Sequence, residues 1–197
     1  MPWIKPLHLQ EPLSDYTERM AAAIIPNRPG IIAGVSFGGM AAVEIAAKRP
    51  WLKPVEISSI SEPKFLPWHL RLVKASGIYK VAPMGMLKFF PRIGAWYFGT
   101  KGNTEYQLFK EILDITDPFY LRWAVNQLLN WNPACPGNCA QIIGTNDTIF
   151  PPGCCPGAIR IKGGTHLMVY SEAEKISTIL NEMAREWLNE QKLAAGR

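Results

Sequence analysis

Long apolar runs are missing from this 197-residue sequence. No stretch approaches the roughly 18 to 20 apolar residues that a membrane-spanning helix needs. Residues 1–5 also lack the basic and apolar regions of a signal peptide, so we predict a cytoplasmic protein. The hydrophobic fraction of 48% and charged fraction of 19% exclude disordered and fibrous classes. The length suits one domain spanning residues 1–197.

Cysteine and histidine are scarce, which limits the metal chemistry that the chain can support. The four cysteines fall close together around one loop region and match no standard zinc spacing; they are Cys135, Cys139, Cys154 and Cys155. We interpret them as reduced thiols without a function, since a cytoplasmic chain keeps its thiols reduced, with a metal or disulfide role as the weaker alternative. The sequence therefore predicts neither a metal site nor a cofactor.

Acidic residues are absent from residues 64–101, which we call the basic aromatic segment. Its cations are Lys64, Arg71, Lys74, Lys80, Lys88, Arg92 and Lys101. Its aromatic residues are Phe65, Trp68, Tyr79, Phe89, Phe90, Trp96, Tyr97 and Phe98. Such a segment could lie on a membrane, attract an anionic substrate, or cover an apolar pocket with its lysines in solvent, and we favour the cover. No nucleic-acid-binding module is recognisable, so we predict no nucleic-acid partner.

The middle of the N-terminal half predicts a strand, a helix and a second strand. The apolar residues 30–35 are typical of a central parallel strand that is buried on both faces. A helix from Phe37 should end before Pro50, and residues 54–60 predict the next strand. Strand, helix and strand within about thirty residues form a βαβ unit. The fold class is therefore α/β, with a mostly parallel sheet flanked by helices.

The remaining helices and strands are predicted from the same kinds of pattern. Residues 61–133 show helical spacing broken by proline and glycine but no parallel-type strand, which predicts a helical cap at residues 62–133. Residues 140–144 and 158–161 predict two further strands, and Ser171 should open the last helix. At the start, Trp3 and Ile4 suggest the end of a strand. A helix should then open at Ser14, with residues 15 and 18 as a capping pair.

Three residue types used in nucleophilic catalysis follow predicted strands. Ser36 lies in Gly34-x-Ser36-x-Gly38 between a strand and a helix, where a strained turn would expose its hydroxyl. Asp147 comes after the strand at residues 140–144, and His166 follows the next strand. The carboxyl ends of parallel strands meet at one edge of the sheet, so we expect these side chains to converge there.

These motifs resemble the α/β-hydrolase family, in particular its small bacterial-type members, over essentially the whole chain. The motifs are GVSFGGM at residues 34–40, GTNDTIFP at 144–151 and GGTH at 163–166. The resemblance implies that Ser36 is the nucleophile, His166 the general base and Asp147 the acid that orients the imidazole. It also implies that the N–H of Phe37, with Gly38 beside it at the start of the helix, binds the oxyanion.

One part of the family pattern has no counterpart in the sequence. In the family, a strand and a Gly-rich loop ahead of the residues corresponding to Trp3 and Ile4 supply the second oxyanion donor. We hypothesise that Met1 is an internal start or that the sequence is truncated. The elbow strand should then have an open edge that pairs with Trp3 and Ile4, with another chain, or in aggregates.

The leading hypothesis is a serine hydrolase that cleaves esters or thioesters of small apolar acyl substrates through an acyl-enzyme. The alternatives are a non-catalytic binding protein of the same fold and a peripheral membrane protein that uses the basic aromatic segment. Taken singly, the serine, aspartate and histidine could also be ordinary turn or loop residues. His8 and His69 are not expected to act in catalysis, and Asp114 and Asp117 are the substitute acids. The oligomeric state stays open.

Overall fold

Four parallel strands form the sheet in the computed structural model, which describes residues 3–22, 28–133 and 139–195. They are β1 (Gly30–Val35), β2 (Leu52–Ile57), β3 (Ala140–Gly144) and β4 (Ile159–Ile161). Their order across the sheet is β1-β2-β3-β4, and each neighbouring pair is parallel. All four strands therefore present their carboxyl ends at the same edge, as an α/β fold requires.

Helices surround the sheet. The α-helices are α1 (Leu13–Ala21), α2 (Phe37–Ala47), α3 (Trp68–Ser76), α4 (Pro91–Tyr97), α5 (Gly102–Ile115), α6 (Pro118–Asn130), α7 (Met168–Ser171) and α8 (Ala173–Ala195). Short 3₁₀ helices occur at Pro63–Phe65, Ile78–Lys80, Met84–Phe89 and Pro152–Cys154. None of the helices in the described ranges combines the length and apolar character needed to cross a membrane.

The predicted βαβ unit is present as β1, α2 and β2. β1 pairs with β2 from Gly30 opposite Leu52 to Val35 opposite Ile57. α2 packs against both strands, and the whole middle of this helix is buried because it lies between the sheet and α1. The fold class predicted from the sequence is therefore confirmed, with a parallel sheet flanked by helices.

The apolar core has two parts. The larger cluster joins α1 and α2 to the helical segment at residues 62–133 and is centred on the buried rings of Tyr16 and Trp123. The second cluster contains the inward side chains of β2, β3 and β4 and the apolar face of α8; it includes Val55, Ile57, Ile142, Ile161 and Ile176. Because successive strand residues point to opposite faces, β2 contributes to both sides of the sheet.

The position of β1 contradicts the prediction of a central strand and agrees with the prediction of an open edge. Among the described residues β1 pairs only with β2, so it is an edge strand, and Ala33 is exposed. A continuous apolar run indicates burial on both faces but does not distinguish a central strand from an edge strand covered by side chains. Trp3 and Ile4 do not form a strand either. The backbone of Ile4 bonds to the Tyr16 hydroxyl instead, through its N–H at 3.1 Å and its carbonyl at 2.7 Å.

Three predicted element boundaries are also wrong. α1 begins at Leu13 after Pro12, without a side-chain cap, and Glu18 pairs with Arg49 at 3.0 Å rather than with a capping partner. β2 spans Leu52–Ile57 rather than residues 54–60, because Ser58 adopts a positive φ of 49° that ends the strand. The last long helix begins at Ala173, since a short helix ends at Ser171 just before it.

Residues 62–133 contain helices and no strand, and this segment is tied to the remainder by hydrogen bonds from long side chains. The buried indole of Trp123 donates to the carbonyl of Glu11 at 2.8 Å, linking α6 to the loop before α1. Arg122 donates to the carbonyls of Lys80 and Ala82. The segment thus packs against the N-terminal helices and reaches the carboxyl edge of the sheet through α4.

Candidate active site

Ser36 occupies a strained turn between β1 and α2. Its backbone has φ 53° and ψ −122°, a conformation that costs a non-glycine residue on the order of 1 to 3 kcal/mol. The turn is fixed by its neighbours, since the N–H of Ser36 donates to the Ile57 carbonyl at 2.8 Å and its carbonyl accepts from Gly39 at 2.9 Å. Strain held in this way keeps the hydroxyl at the carboxyl edge of the sheet.

The glycines around the turn are needed for close approach. A Cβ on Gly34 would lie 1.9 Å from the carbonyl oxygen of Gly38, and one on Gly39 would lie 2.7 Å from Cβ of Ser59. A Cβ on Gly38 would meet only the Trp3 ring, at 3.7 Å. Glycine is therefore sterically required at positions 34 and 39. Position 38, the last glycine of the Gly-x-Ser-x-Gly motif, has room for a side chain.

His166 reaches Ser36 from the loop after β4. Its Nε2 lies 2.9 Å from the hydroxyl oxygen of Ser36, and its side chain is 2% exposed. The loop sits close to the sheet because Gly144 and Gly164 pass each other in van der Waals contact, where a Cβ on Gly144 would lie 2.3 Å from the Gly164 carbonyl oxygen. The rings of Phe98 and Phe150 pack on the imidazole, with centroids at 5.2 Å and 5.7 Å.

Asp147 lies on the other side of the imidazole, in the turn after β3. Its Oδ2 is 3.0 Å from Nδ1 of His166, and the residue is 3% exposed. The backbone N–H groups of Ile149 and Phe150 donate to Oδ1 at 3.0 Å and 2.9 Å. With the proton on Nδ1, the carboxylate accepts three hydrogen bonds. This arrangement favours the tautomer in which Nε2 carries no proton and can accept one from Ser36.

Phe37 and Gly38 begin α2 directly after the serine. The N–H groups in the first turn of a helix have no carbonyl partner within the helix, and the positive end of the helix dipole lies there. The Phe37 ring is packed between Trp3, with centroids 5.9 Å apart, and Trp123, at 5.5 Å. This packing fixes the backbone of the turn beside the Ser36 hydroxyl.

Residues from the helical segment line the site, and the sequence did not single them out. Phe98 contacts His166, and the carbonyl of Tyr97 accepts a hydrogen bond from the Thr148 hydroxyl next to Asp147. Burial, with a smaller effect of the Asp147 charge, raises the pKa of Tyr97. Only the aromatic content of residues 96–98 signalled this role, since contacts between segments so far apart in the chain depend on tertiary packing.

The other titratable residues considered from the sequence lie elsewhere. His8 is exposed, and His69 packs against Tyr97 with its pKa lowered by burial. Asp114 pairs with Lys110 at 3.2 Å, and Asp117 accepts a hydrogen bond from the N–H of Phe119 as the cap of α6. Neither substitute acid is hydrogen-bonded to His166.

The cysteines do not form a metal centre in the described part of the chain. Cys135 lies outside the described residues, while Cys139, Cys154 and Cys155 are free thiols. Burial raises the pKa of the Cys155 thiol to about 12 and that of Cys139 as well, which keeps both protonated. No group of three potential metal ligands occurs within the described ranges.

A buried acid behind the turn was also missed by sequence reasoning. Glu56 on β2 lies opposite Gly34 and is fully buried. Its Oε2 accepts hydrogen bonds from Gln141 at 3.0 Å and from the Cys139 thiol at 3.2 Å. Burial raises the pKa of its carboxyl to about 7. An acid in the middle of an apolar strand is the signal that could have identified it.

No family model and no curated protein matches the sequence. Solved structures do match. A thermophilic esterase from Thermogutta terrifontis has 16% identity and a TM-score of 0.60 over 90% of this chain and 71% of its own. The α/β hydrolase MGS-M2, from a Medee basin deep-sea metagenome library, has 16% identity and a TM-score of 0.56 over 90% and 72%.

The esterase RhEst1 from Rhodococcus sp. ECU1013 has 15% identity and a TM-score of 0.56 over 86% of this chain and 71% of its own. At such identities the likeness concerns the backbone arrangement and not the chemistry. The chain therefore has the α/β-hydrolase fold.

Proposed function

We propose that the protein is a serine hydrolase that cleaves carboxylic ester or thioester bonds of small apolar acyl substrates. The observation that carries the proposal is the continuous hydrogen-bonded series from the Ser36 hydroxyl through His166 to Asp147, at 2.9 Å and 3.0 Å. A nucleophile within hydrogen-bond reach of a base, which a third group orients, is the arrangement that acyl transfer requires.

The reaction proceeds in two halves. Ser36 Oγ attacks the substrate carbonyl carbon while its proton passes to Nε2 of His166, and Asp147 stabilises the imidazolium that forms. The tetrahedral intermediate collapses to an acyl-enzyme, and the leaving alcohol or thiol takes the proton from Nε2. A water molecule, deprotonated by the same nitrogen, then attacks the acyl carbon. Collapse of this second intermediate releases the acid and returns the proton to Ser36.

The start of α2 is suited to the charge that develops in these intermediates. The N–H groups of Phe37 and Gly38 lie next to the nucleophile, and the helix dipole adds a favourable potential for an oxyanion. We assign Phe37 as the principal donor. One such donor is worth about 10²- to 10³-fold in turnover.

The helical segment at residues 62–133 acts as a cap in this proposal. Three features join it to the site loops: Phe98 packs on His166, Tyr97 accepts from Thr148, and Gly99 lies so close to Thr165 that an added Cβ would be 3.0 Å from the threonine Cβ. The aromatic rings beside the imidazole make the approach to Ser36 apolar. An apolar approach favours acyl groups over charged or sugar substrates.

Hydrolysis of a chain-length series of aryl esters by the wild type and by Ser36→Ala tests the proposal. We expect turnover by the wild type and a loss in kcat on the order of 10⁶-fold in the variant, because the attacking atom is gone. Ser76→Ala is the matched control, since this exposed hydroxyl on α3 donates only to the Val73 carbonyl.

Labelling with a fluorophosphonate separates the proposal from its rival, a binding protein of the same fold. Labelling of the wild type and of Ser76→Ala, but not of Ser36→Ala, supports the enzyme. Folded wild-type protein that neither takes the label nor turns over any ester of the series is a binding protein, and the proposal is then wrong.

A further inference from the structure

The basic aromatic segment, residues 64–101, carries charge of only one sign. Its seven cations have no acidic residue among them along the chain. Of these seven cations, only Lys64 has a described carboxylate within ion-pair distance, that of Glu62 at 2.8 Å. Lys74 and Arg92 are exposed, and neither is paired with a described carboxylate. The segment therefore presents cations whose counter-charge is not supplied by the part of the chain that the structure describes.

The same segment exposes large apolar side chains. Nine of them are exposed: Trp68, Leu72, Ile78, Val81, Met86, Phe89, Phe90, Ile93 and Trp96. Trp68 is 73% exposed, Phe89 79% and Trp96 78%. Single exposed apolar residues are common on protein surfaces, but nine within 38 consecutive residues form a patch of the kind that marks an interaction surface.

These side chains form ridges on neighbouring helices. Trp68 and Leu72 are four residues apart on α3 and so share a face, as do Ile93 and Trp96, three apart on α4. The rings of His69 and Tyr97 meet at 5.9 Å, edge to face, which brings the start of α3 beside the end of α4. The exposed Trp68 and Trp96 are therefore next in sequence to His69 and Tyr97, the two residues that form this contact.

The exposure of these side chains favours a different interpretation from the one preferred from the sequence, in which the segment covers an apolar pocket. A cover over an apolar pocket should turn its rings inward, and Tyr97 and Phe98 do so. Trp68, Phe89 and Trp96 instead point into solvent. A second copy of the chain does not suit this surface, because association would bring like charges together.

We propose that the basic aromatic segment docks on a lipid bilayer that contains anionic lipids. Tryptophan favours the interfacial region of a bilayer because one end of its side chain is apolar and the N–H end is wet, and phenylalanine buries its ring at the acyl boundary. Lysine and arginine beside them bind lipid phosphates while their stems lie along the apolar layer. The contact is peripheral, through side chains that project from short helices.

Docking in this position bears on the substrate, and this step rests on the proposed function. Trp96 is followed in the sequence by Tyr97 and then by Phe98, and Phe98 contacts His166. A bilayer against this surface therefore lies next to the approach to Ser36. Acyl esters dissolved in the bilayer are the substrate class that this arrangement favours.

Co-sedimentation of the Ser36→Ala protein with vesicles tests the docking without any need for activity, so its failure does not touch the proposed hydrolase. The vesicles are equimolar phosphatidylcholine and phosphatidylglycerol, with pure phosphatidylcholine for comparison. We expect binding to the anionic vesicles that weakens as NaCl is raised, because screening removes the attraction of the cations.

Paired variants locate the surface. Lys74→Gln with Arg92→Gln should weaken the vesicle partition coefficient about 25-fold, at about fivefold for each cation near the membrane. Trp68→Ala with Trp96→Ala should weaken it at least about tenfold through lost apolar contact. The matched control is Arg185→Gln with Lys192→Gln, which removes the same charge from exposed positions on α8 and should leave the partition unchanged.

Three results overturn the proposal. The first is no sedimentation with the anionic vesicles at low salt by a protein whose circular dichroism and thermal midpoint show that it is folded. The second is an equal loss in the α8 control, which would mean that only net charge matters. The third is unchanged vesicle binding in the tryptophan variant together with equally strong binding to polyglutamate, which would identify an acidic macromolecule as the partner.

Discussion

The loops at the carboxyl edge of the sheet bury polar side chains, whereas the helical segment at residues 62–133 exposes apolar ones. In the loops, the carboxylate of Asp147 and the ring of His166 are almost completely buried, and each is held by short hydrogen bonds. In the helical segment, cations and large apolar side chains face solvent, and Arg71 and Arg122 bond to backbone carbonyls of nearby turns.

The two regions also differ in how closely their backbone segments are packed. Backbone segments at the sheet edge approach so closely that even one methyl group has no room at Gly34 or Gly144. In the helical segment a Cβ on Gly85 would meet no atom within 4 Å. The sheet edge therefore holds its backbone segments in close contact, whereas the helical segment has at least one open position.

The largest expected effect comes from the buried acid of the edge. Asp147→Asn should lower kcat for an aryl ester on the order of 10⁴-fold with little change in KM, because an amide that donates to Nδ1 stabilises the wrong tautomer of His166. The measurement is steady-state hydrolysis by the purified variant.

The matched control is Asp117→Asn in the helical segment. This residue caps α6, and asparagine caps a helix about as well as aspartate, so both kcat and stability should be unchanged. If Asp147→Asn hydrolyses the ester at the wild-type rate, Asp147 has no part in the mechanism. The two regions would then not differ in the way proposed.

The next effect concerns the packing of the two regions. Gly34→Ala should lower the free energy of unfolding by more than about 3 kcal/mol, because its Cβ would overlap the Gly38 carbonyl. Gly85→Ala should raise it by about 0.4 to 1 kcal/mol, since the site is open and alanine restricts the unfolded chain.

Urea unfolding followed by circular dichroism measures both changes. If Gly34→Ala yields no folded protein, Gly39→Ala supplies a second test at the same turn, where a Cβ would lie 2.7 Å from Ser59. Equal stability of the Gly34 and Gly85 variants would contradict the proposed difference in packing.

The convergence of Ser36, Asp147 and His166 was predictable because parallel strands end at one edge of the sheet. Each residue follows its strand within a few positions, so local pattern and topology together were sufficient. The helical character of residues 62–133 was likewise readable from its spacing. These features depend on short stretches of sequence and on one general rule of α/β sheets.

Other features depend on which segments meet in space. The apolar run at residues 30–35 carries no information about the number of neighbouring strands, so it wrongly indicated a central strand; the open edge of β1 was predicted only from the family pattern. The contact of Phe98 with His166 joins residues that are far apart in the chain, and no local pattern encodes it. The outward orientation of Trp68 and Trp96 depends on how α3 and α4 pack.

The smallest expected effect is on the free energy of unfolding, and it compares a buried acid of the sheet with an exposed acid of the helical segment. Burial raises the pKa of the Glu56 carboxyl in the folded protein from about 4.5 to about 7. Between these pH values the folded state keeps a proton that the unfolded state has lost, so stability falls as the pH rises through this window. Glu56→Gln should remove that slope and add on the order of 3 kcal/mol above the window.

Unfolding in urea at about pH 5 and about pH 8 measures the slope, which linkage relates to the protons bound in each state. Asp114→Asn is the control, because Asp114 forms an exposed pair with Lys110 and its loss should change stability by no more than about 0.5 kcal/mol at either pH. A Glu56→Gln protein that is less stable than the wild type at the higher pH would show that the carboxylate is stabilised by its bonds to Gln141 and Cys139 rather than penalised by burial. The carboxylate of Glu56 would then resemble that of Asp147, which is held by hydrogen bonds from the backbone N–H groups of Ile149 and Phe150.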